Sequence, residues 1–197
     1  SNKGLVRTVE YGVEVFSEAE KLQIQHKIVP VIQGYNHHSQ WLECLDLYKE
    51  HGIDSKLWGV GSLCMMKSTK LAKRILEELR KKLRYANIHV FGLALNIFRK
   101  TFQLIDSFDT SMWVYWAKMD GCAFVWDPYR ERFIHLQARD GKRYDTLSLM
   151  AVNVYSILYM VDYYNKKKSS LINCKKIGSQ EASRLNRNRR RYSYEPF

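Results

Sequence analysis

The stretch Leu57–Gly92, LWGVGSLCMMKSTKLAKRILEELRKKLRYANIHVFG, decides the fold. It opens on a short apolar run, Leu57-Trp58-Gly59-Val60-Gly61, and closes on another, Ile88-His89-Val90-Phe91-Gly92. Runs this short, apolar throughout and stopped by glycine read as fully buried parallel strands. Between them Leu71 to Tyr85 places Leu71, Ile75, Leu79 and Leu83 at helical spacing, with Lys and Arg on the other face. Strand, amphipathic helix and strand in succession make a parallel crossover unit.

The same cycle extends in both directions. Upstream, Ile28-Val29-Pro30-Val31-Ile32 reads as a buried strand ending at Gln33-Gly34, although Pro30 weakens a central position. Ser39 to His51 follows as a helix with Trp41, Leu42, Leu45 and Tyr48 on one side and Gly52 as its stop. Downstream come a short helix, Ile97 to Gln103, a strand, Leu104 to Asp109, and a further helix over Thr110 to Lys118. The resulting class is α/β, with parallel strand–helix units; pattern alone leaves a doubly wound sheet and a barrel both open. Either way the strands leave their C-terminal ends in ligand space. Those ends are Gln33-Gly34, Gly61-Ser62, Gly92 and Asp109.

The flanks read differently. Residues 1–15 show no clear period, with an extended segment expected near Val13 to Phe16. A helix is expected over Phe16 to Lys27, with Ser17 as N-cap and Glu20 at capping-box spacing. After Asp120-Gly121, the segments Cys122 to Asp127 and Arg132 to Gln137 flank the turn signal Asp127-Pro128-Tyr129-Arg130, which predicts a hairpin. Thr146 to Asn165 reads as a long closing helix. The expected division is a folded part over 1–165 and a basic tail, largely without structure, over 166–197.

Composition narrows the partner. The chain has 197 residues, 46% of them hydrophobic, and carries a net charge of +12. Between Lys166 and Arg191 stand Lys166, Lys167, Lys168, Lys175, Lys176, Arg184, Arg187, Arg189, Arg190 and Arg191, opposed only by Glu181. This segment holds most of the net charge and suits a phosphate backbone, without reading sequence. Cys44, Cys64, Cys122 and Cys174 are widely separated, so a zinc knuckle is not expected and buried free thiols of a cytoplasmic protein are. No run is long and apolar enough for a membrane span, and no cofactor or metal is expected. The first residue is Ser1, which fits a processed or partial chain.

Two strand-end residues carry candidate chemistry. Asp109 follows a buried-looking strand and could be a nucleophile or general base, though Asp is also among the best N-caps. Gln33 pairs donor and acceptor on one amide, which suits a purine edge, though a solvated loop glutamine looks the same. Gly59-Val60-Gly61-Ser62 lacks the spacing of a phosphate loop. His37 and His38 read as surface residues and His89 as a satisfied core histidine; Trp113, Tyr115 and Trp116 read as core.

Taken in order, Val31-Ile32-Gln33-Gly34, Val60-Gly61-Ser62-Leu63-Cys64, Ile88 to Gly92 and Ile105 to Asp109 resemble the tRNA-guanine transglycosylases. Asp109-Thr110-Ser111-Met112-Trp113 is closer to their relatives that insert 7-deazaguanines into DNA in phages and bacterial gene clusters. The resemblance runs from about Ile28 to Asn165 and takes in the closing helix with Asn153. It implies the C-terminal half of a TIM-like (β/α)8 barrel, plus a hairpin and closing helix. It implies Asp109 as the nucleophile that attacks sugar C1′ and expels guanine. Gln33 would then hold the base, and Gly34, Gly61, Ser62 and Leu63 would line its pocket. DNA, or else tRNA, is the implied partner, with guanine or a 7-deazaguanine as the exchanged base. The basic segment, including Lys166, Lys167, Lys168, Lys175, Lys176, Arg187, Arg189, Arg190 and Arg191, would meet the nucleic-acid backbone.

The chain also departs from that pattern. The zinc-binding cysteine cluster of the tRNA enzymes is missing, and Met112-Trp113-Val114 replaces their Pro-Thr-Arg. Only the last barrel strands are recognisable, so a second catalytic aspartate is not assigned. A missing N-terminal half or a second chain is therefore expected to complete the barrel. A partial or inactive relative that only binds nucleic acid is the reading from another class.

Overall fold

The computed structural model describes residues 3–35, 37–66, 68–136 and 144–191, with side chains up to residue 171. The chain divides into two compact units, Ser1–Gly121 and Cys122–Phe197. In the first, α1 (Lys3–Lys21) leads through a short turn into β1 (Val31–Ile32), α2 (Ser39–Glu50), β2 (Leu57–Val60), α3 (Thr69–Lys82), β3 (Asn87–Val90), α4 (Leu95–Thr101), β4 (Ser107–Phe108) and α5 (Met112–Lys118). The second holds β5 (Ala123–Asp127), β6 (Arg132–Leu136) and α6 (Thr146–Arg191). Among the described residues no helix is long and apolar enough to cross a membrane.

The four strands of the first unit lie in the order β1-β2-β3-β4, every neighbour pair parallel. A right-handed crossover that always steps the same way puts the crossover helices α2, α3 and α4 on one face. A doubly wound sheet needs a reversal of strand order, and these four strands have none. Ile32, Trp58, Val60, Ile88 and Val90 fill the space under the helices, each fully buried. From α3 come Ala72, Ile75, Leu76 and Leu79, and the helix begins where the Ser68 hydroxyl accepts from the Leu71 amide at 3.2 Å.

The N-terminus departs from expectation. Helix α1 spans Lys3–Lys21, so Ser17 lies in its interior and caps nothing. Valines at 6, 9, 13 and 15 give the segment a strand-like composition, but Leu5, Val9 and Ala19 are buried at helical spacing and packing decides. Tyr48 of α2 donates to the Thr8 carbonyl at 3.4 Å and joins the two helices. Burial pushes the Tyr48 hydroxyl up to about 12. Strand β1 is also shorter than read: Pro30 accepts from Gly59 N at 2.9 Å but has no N–H to give.

At the other end of the strands, Arg80 of α3 ties β3 to β4. Its guanidinium donates to the carbonyls of Leu104, Leu83 and Ala86, and to Asp106 Oδ2 at 2.5 Å. Asp106 Oδ2 also accepts from Ile88 N at 2.8 Å. This use of Asp106 shortens β4 to Ser107–Phe108 relative to the expected Leu104–Asp109.

In the second unit the hairpin forms as read, with Asp127 Oδ1 accepting from the Tyr129 and Arg130 amides in its turn. Gln137 lies outside the described residues. The outer edge of β5 is closed by α6: Asn153 Oδ1 accepts from Phe124 N at 2.8 Å, and the Ser156 hydroxyl accepts from Trp126 N at 2.5 Å. That explains two buried polar side chains in an otherwise apolar contact of Trp126, Ile157, Met160 and Tyr164. The segment expected to lack structure instead continues α6 to Arg191. From Lys166 to Arg191 it contains no proline and one glycine, Gly178, so local propensity permits the helix despite the charge run.

Candidate active site

The register aligns Ile32, Val60, Val90 and Phe108 across the sheet. The residues one step on, Gln33, Gly61, Phe91 and Asp109, therefore share a row at the C-terminal edge. Side chains alternate along a strand, so this row faces away from the helices, together with Val31, Gly59, His89 and Ser107 below it. Parallel sheets are normally covered on both faces. Here Gln33, Phe91, Ser107 and Asp109 are exposed and His89 is half-buried.

Asp109 does not cap α5. The N-cap is Ser111, and the helix begins at Met112 rather than Thr110. The Asp109 carboxylate turns back over the sheet instead, where Oδ1 accepts a hydrogen bond from the Gly92 amide. Gly92 sits at φ +60°, a left-handed turn that suits glycine, and an added Cβ would stand 3.1 Å from Cys64 Cβ. The main chain of the same turn is tied down as well, since Leu93 N donates to the Asp109 carbonyl at 2.9 Å. Asp109 Oδ2 lies 3.8 Å from His89 Nε2. On the far side of that ring, Nδ1 is 2.8 Å from the Ser107 hydroxyl.

Gln33 stands at the other end of the row. Its main-chain N–H donates to the buried Cys44 Sγ at 3.5 Å, and burial pushes that thiol's pKa up. The Ser62 hydroxyl donates to Gln33 Oε1 at 3.5 Å, from a residue with φ of 65°. Gly61 is buried, and its carbonyl accepts from Trp41 Nε1 at 3.0 Å. Gly34 rests on the ring of Trp41. Leu63 is fully buried, so only its backbone is on offer. A groove of about 440 Å³ beside Gln33 is lined by Leu5, Thr8, Tyr35, Gln40 and Ser62.

The structure thus brings Gln33, Gly61, Ser62 and Asp109 to one edge of one sheet. It adds His89 and Phe91, which sequence reasoning missed. His89 is satisfied but is not core. The Phe91 ring lies over Gly59, where an added Cβ would come within 2.6 Å of Phe91 Cε2. The signal was the two-residue alternation of His89 and Phe91, which puts them on the face opposite Ile88 and Val90. Trp113 and Trp116 are half-buried and Tyr115 is exposed, so this short helix is not core as read. Cys64 is exposed, contrary to expectation, because the turn after Ser62 buries Leu63 and leaves Cys64 outside.

The family described as DpdA, DeoxyPurine in DNA protein A, matches residues 4–125, more than half of the chain. The chain belongs to the DpdA family. The match contains the whole Gln33–Asp109 row, and the family description concerns a DNA modification, in accord with the DNA branch of the resemblance. No curated protein and no solved structure matches. Among the described residues no group of three or more His, Cys, Asp or Glu is placed to hold a metal ion. The zinc site of the tRNA enzymes thus finds no fit in them.

The basic residues lie in the unit that begins at Cys122. Two of them meet carboxylates within it: Lys166 pairs with Asp162 at 2.6 Å and Lys167 with Glu131 at 2.6 Å. Tyr163 and Tyr164 also donate to Glu131. The Lys167 contact, followed by that of Tyr163, holds the Glu131 carboxyl below its usual range. Lys168 is half-buried on the same helix. The side chains of Lys175, Lys176, Arg187, Arg189, Arg190 and Arg191 lie outside the described residues.

Proposed function

We propose that this DpdA-family chain carries part of the site of a base-exchange transglycosylase acting on DNA. The observation that carries the reading is the single row that holds Gln33 and Asp109 on the uncovered face of the sheet. Three strand spacings separate them, roughly 14 Å between Cα atoms. A base and its sugar fit between the two side chains.

In this reading Asp109 attacks C1′ of the target deoxyguanosine. The C1′–N9 bond breaks, its electron pair leaves with guanine, and an aspartyl ester to the sugar forms. A 7-deazaguanine derivative then attacks C1′ and releases the carboxylate. Two displacements at one carbon replace one difficult exchange. Gln33 hydrogen-bonds the base edge, oriented by Ser62, and the backbone of Gly34 and Gly61–Leu63 lines the base. Phe91, exposed between Gly61 and Asp109, offers a ring for stacking. The target base must first leave its stack, and a cationic helix favours the strands that surround it.

Among the described residues the sheet has an exposed face and its two edge strands, β1 and β4, have no further strand beside them. Such edges invite further strands. They support a TIM-like barrel completed by another chain or by a segment outside 1–197.

The test is exchange of labelled guanine and of a labelled 7-deazaguanine into duplex DNA and, in parallel, into bulk tRNA. Label in DNA alone, lost in Asp109→Asn, is the expected result. Label in tRNA alone would move the substrate to tRNA. Nucleic-acid binding without label, even with the completing chain present, would leave a binding protein and overturn the enzymatic reading.

A further inference from the structure

We propose that His89 is a positioning residue for Asp109, with its tautomer set by Ser107. The inference rests on the reading of Asp109 as the nucleophile and concerns how that carboxylate is held. Ser107, His89 and Asp109 form a line on the uncovered face: Oγ to Nδ1 is 2.8 Å, and Nε2 to Oδ2 is 3.8 Å. A neutral imidazole has one N–H and one lone pair. A lone pair on Nε2 would face an anionic oxygen, whereas an N–H there is attracted to it. The favoured tautomer therefore carries its proton on Nε2. Nδ1 is then an acceptor, and the Ser107 hydroxyl donates to it. The chain runs from the Ser107 O–H to Nδ1, then from the Nε2–H to Asp109 Oδ2, while Oδ1 is held by Gly92.

One neighbour restricts the ring and another leaves it room. Phe91 packs edge-on against it, with centroids 4.6 Å apart at 71°. On the β2 side the register partner is Gly59, which has no side chain to compete for the space. Oδ1 is held by the Gly92 amide, and Oδ2 faces Nε2 at 3.8 Å, longer than a hydrogen bond but close enough for its N–H to attract the carboxylate and bias its plane before substrate arrives. No proton changes hands in this role.

Three substitutions separate positioning from packing. His89→Phe keeps a ring against Phe91 and removes both nitrogens. His89→Gln keeps an N–H at the reach of Nε2. Ser107→Ala removes the donor to Nδ1. In the exchange assay, His89→Phe is expected to lower kcat by about tenfold or more with KM within about twofold of wild type. His89→Gln recovers most of the rate, Ser107→Ala falls between, and all three keep the thermal midpoint. Nitrogen-15 NMR of the imidazole in the wild-type chain is expected to show the proton on Nε2, with that bias lost in Asp109→Ala. Wild-type kcat in His89→Phe, a His89→Gln as slow as His89→Phe, or a proton on Nδ1 would each overturn the proposal. If the wild-type chain exchanges no base even with the completing chain present, the transglycosylase reading fails, and the NMR arm still decides whether His89 presents its N–H to Asp109.

Discussion

Replacing Arg80 by methionine keeps the aliphatic stem of the side chain and removes the guanidinium that joins β3 to β4. Four hydrogen bonds are lost, three to main-chain carbonyls and one to Asp106. A hydrogen bond to a charged group contributes about 1.5–3 kcal/mol net. Arg80 and Asp106 keep side-chain exposures of 24% and 36%, so solvent screens the ion pair and water can reach part of what is left behind. The contacts also share one group, so they do not add. We expect a loss of about 3 kcal/mol, a large share of the stability of a domain of this size. Arg80→Lys keeps the charge and loses the planar fork, and we expect it to recover less than half.

Amide hydrogen exchange at Ile88 and Asp106 is the sharpest assay. The Ile88 amide donates to Asp106 Oδ2, and the Asp106 amide donates to the Ile88 carbonyl. Protection at both should fall by about a hundredfold in Arg80→Met, while the Phe124 amide in the other unit keeps its protection. The register of β4 also sets where Asp109 stands, so exchange activity should fall although Arg80 lies at the other end of the strands. A drop in protection smaller than about threefold would refute the reasoning, because it would mean that backbone pairing alone holds β4 in place.

Asn153→Ala should destabilise the second unit by about 2 kcal/mol, because it removes the hydrogen bonds that its side chain makes to the Phe124 N–H and the Cys122 carbonyl at a covered edge; denaturant melting followed at Trp126 checks it. Glu131 has a depressed folded-state pKa, so its contribution is present above the ordinary carboxylate value and is lost as pH falls through the folded value. The near-ultraviolet signal of Tyr163 and Tyr164 should therefore weaken in acid, and Glu131→Gln should flatten that limb. Gly59→Ala should leave the fold intact at a cost of about 1 kcal/mol, since the half-exposed Phe91 ring can swing aside, yet should slow base exchange by displacing that ring.

The strand–helix alternation from β1 to α5 was legible because each element carries its own signal. Buried strands are short and apolar, α3 shows its period, and Gly52 marks the end of α2. The signal failed where packing overrode composition. Valines disguised α1 as an extended segment, and a run of charge disguised the extension of α6. The edge of the site was legible as a set of strand ends, so Gln33 and Asp109 stood out. His89 and Phe91 did not, because in sequence an apolar strand gives no sign that one of its faces is bare. The choice between a doubly wound and a singly wound sheet also needed the strand order, which no local pattern encodes. Asp109 as a cap was the simplest local reading, and the N-cap at Ser111 together with the hydrogen bond from Gly92 removes it.

The central claim is that Asp109 forms the covalent bond to DNA. The direct measurement is denaturing mass spectrometry with peptide mapping, after the chain is mixed with duplex DNA, with the completing chain supplied if one is needed, and no acceptor base. A sugar–phosphate adduct on the peptide that contains Asp109, absent in Asp109→Asn and released when a 7-deazaguanine is added, is the predicted result. An adduct on another residue, or base exchange at the wild-type rate in Asp109→Asn, would contradict the account.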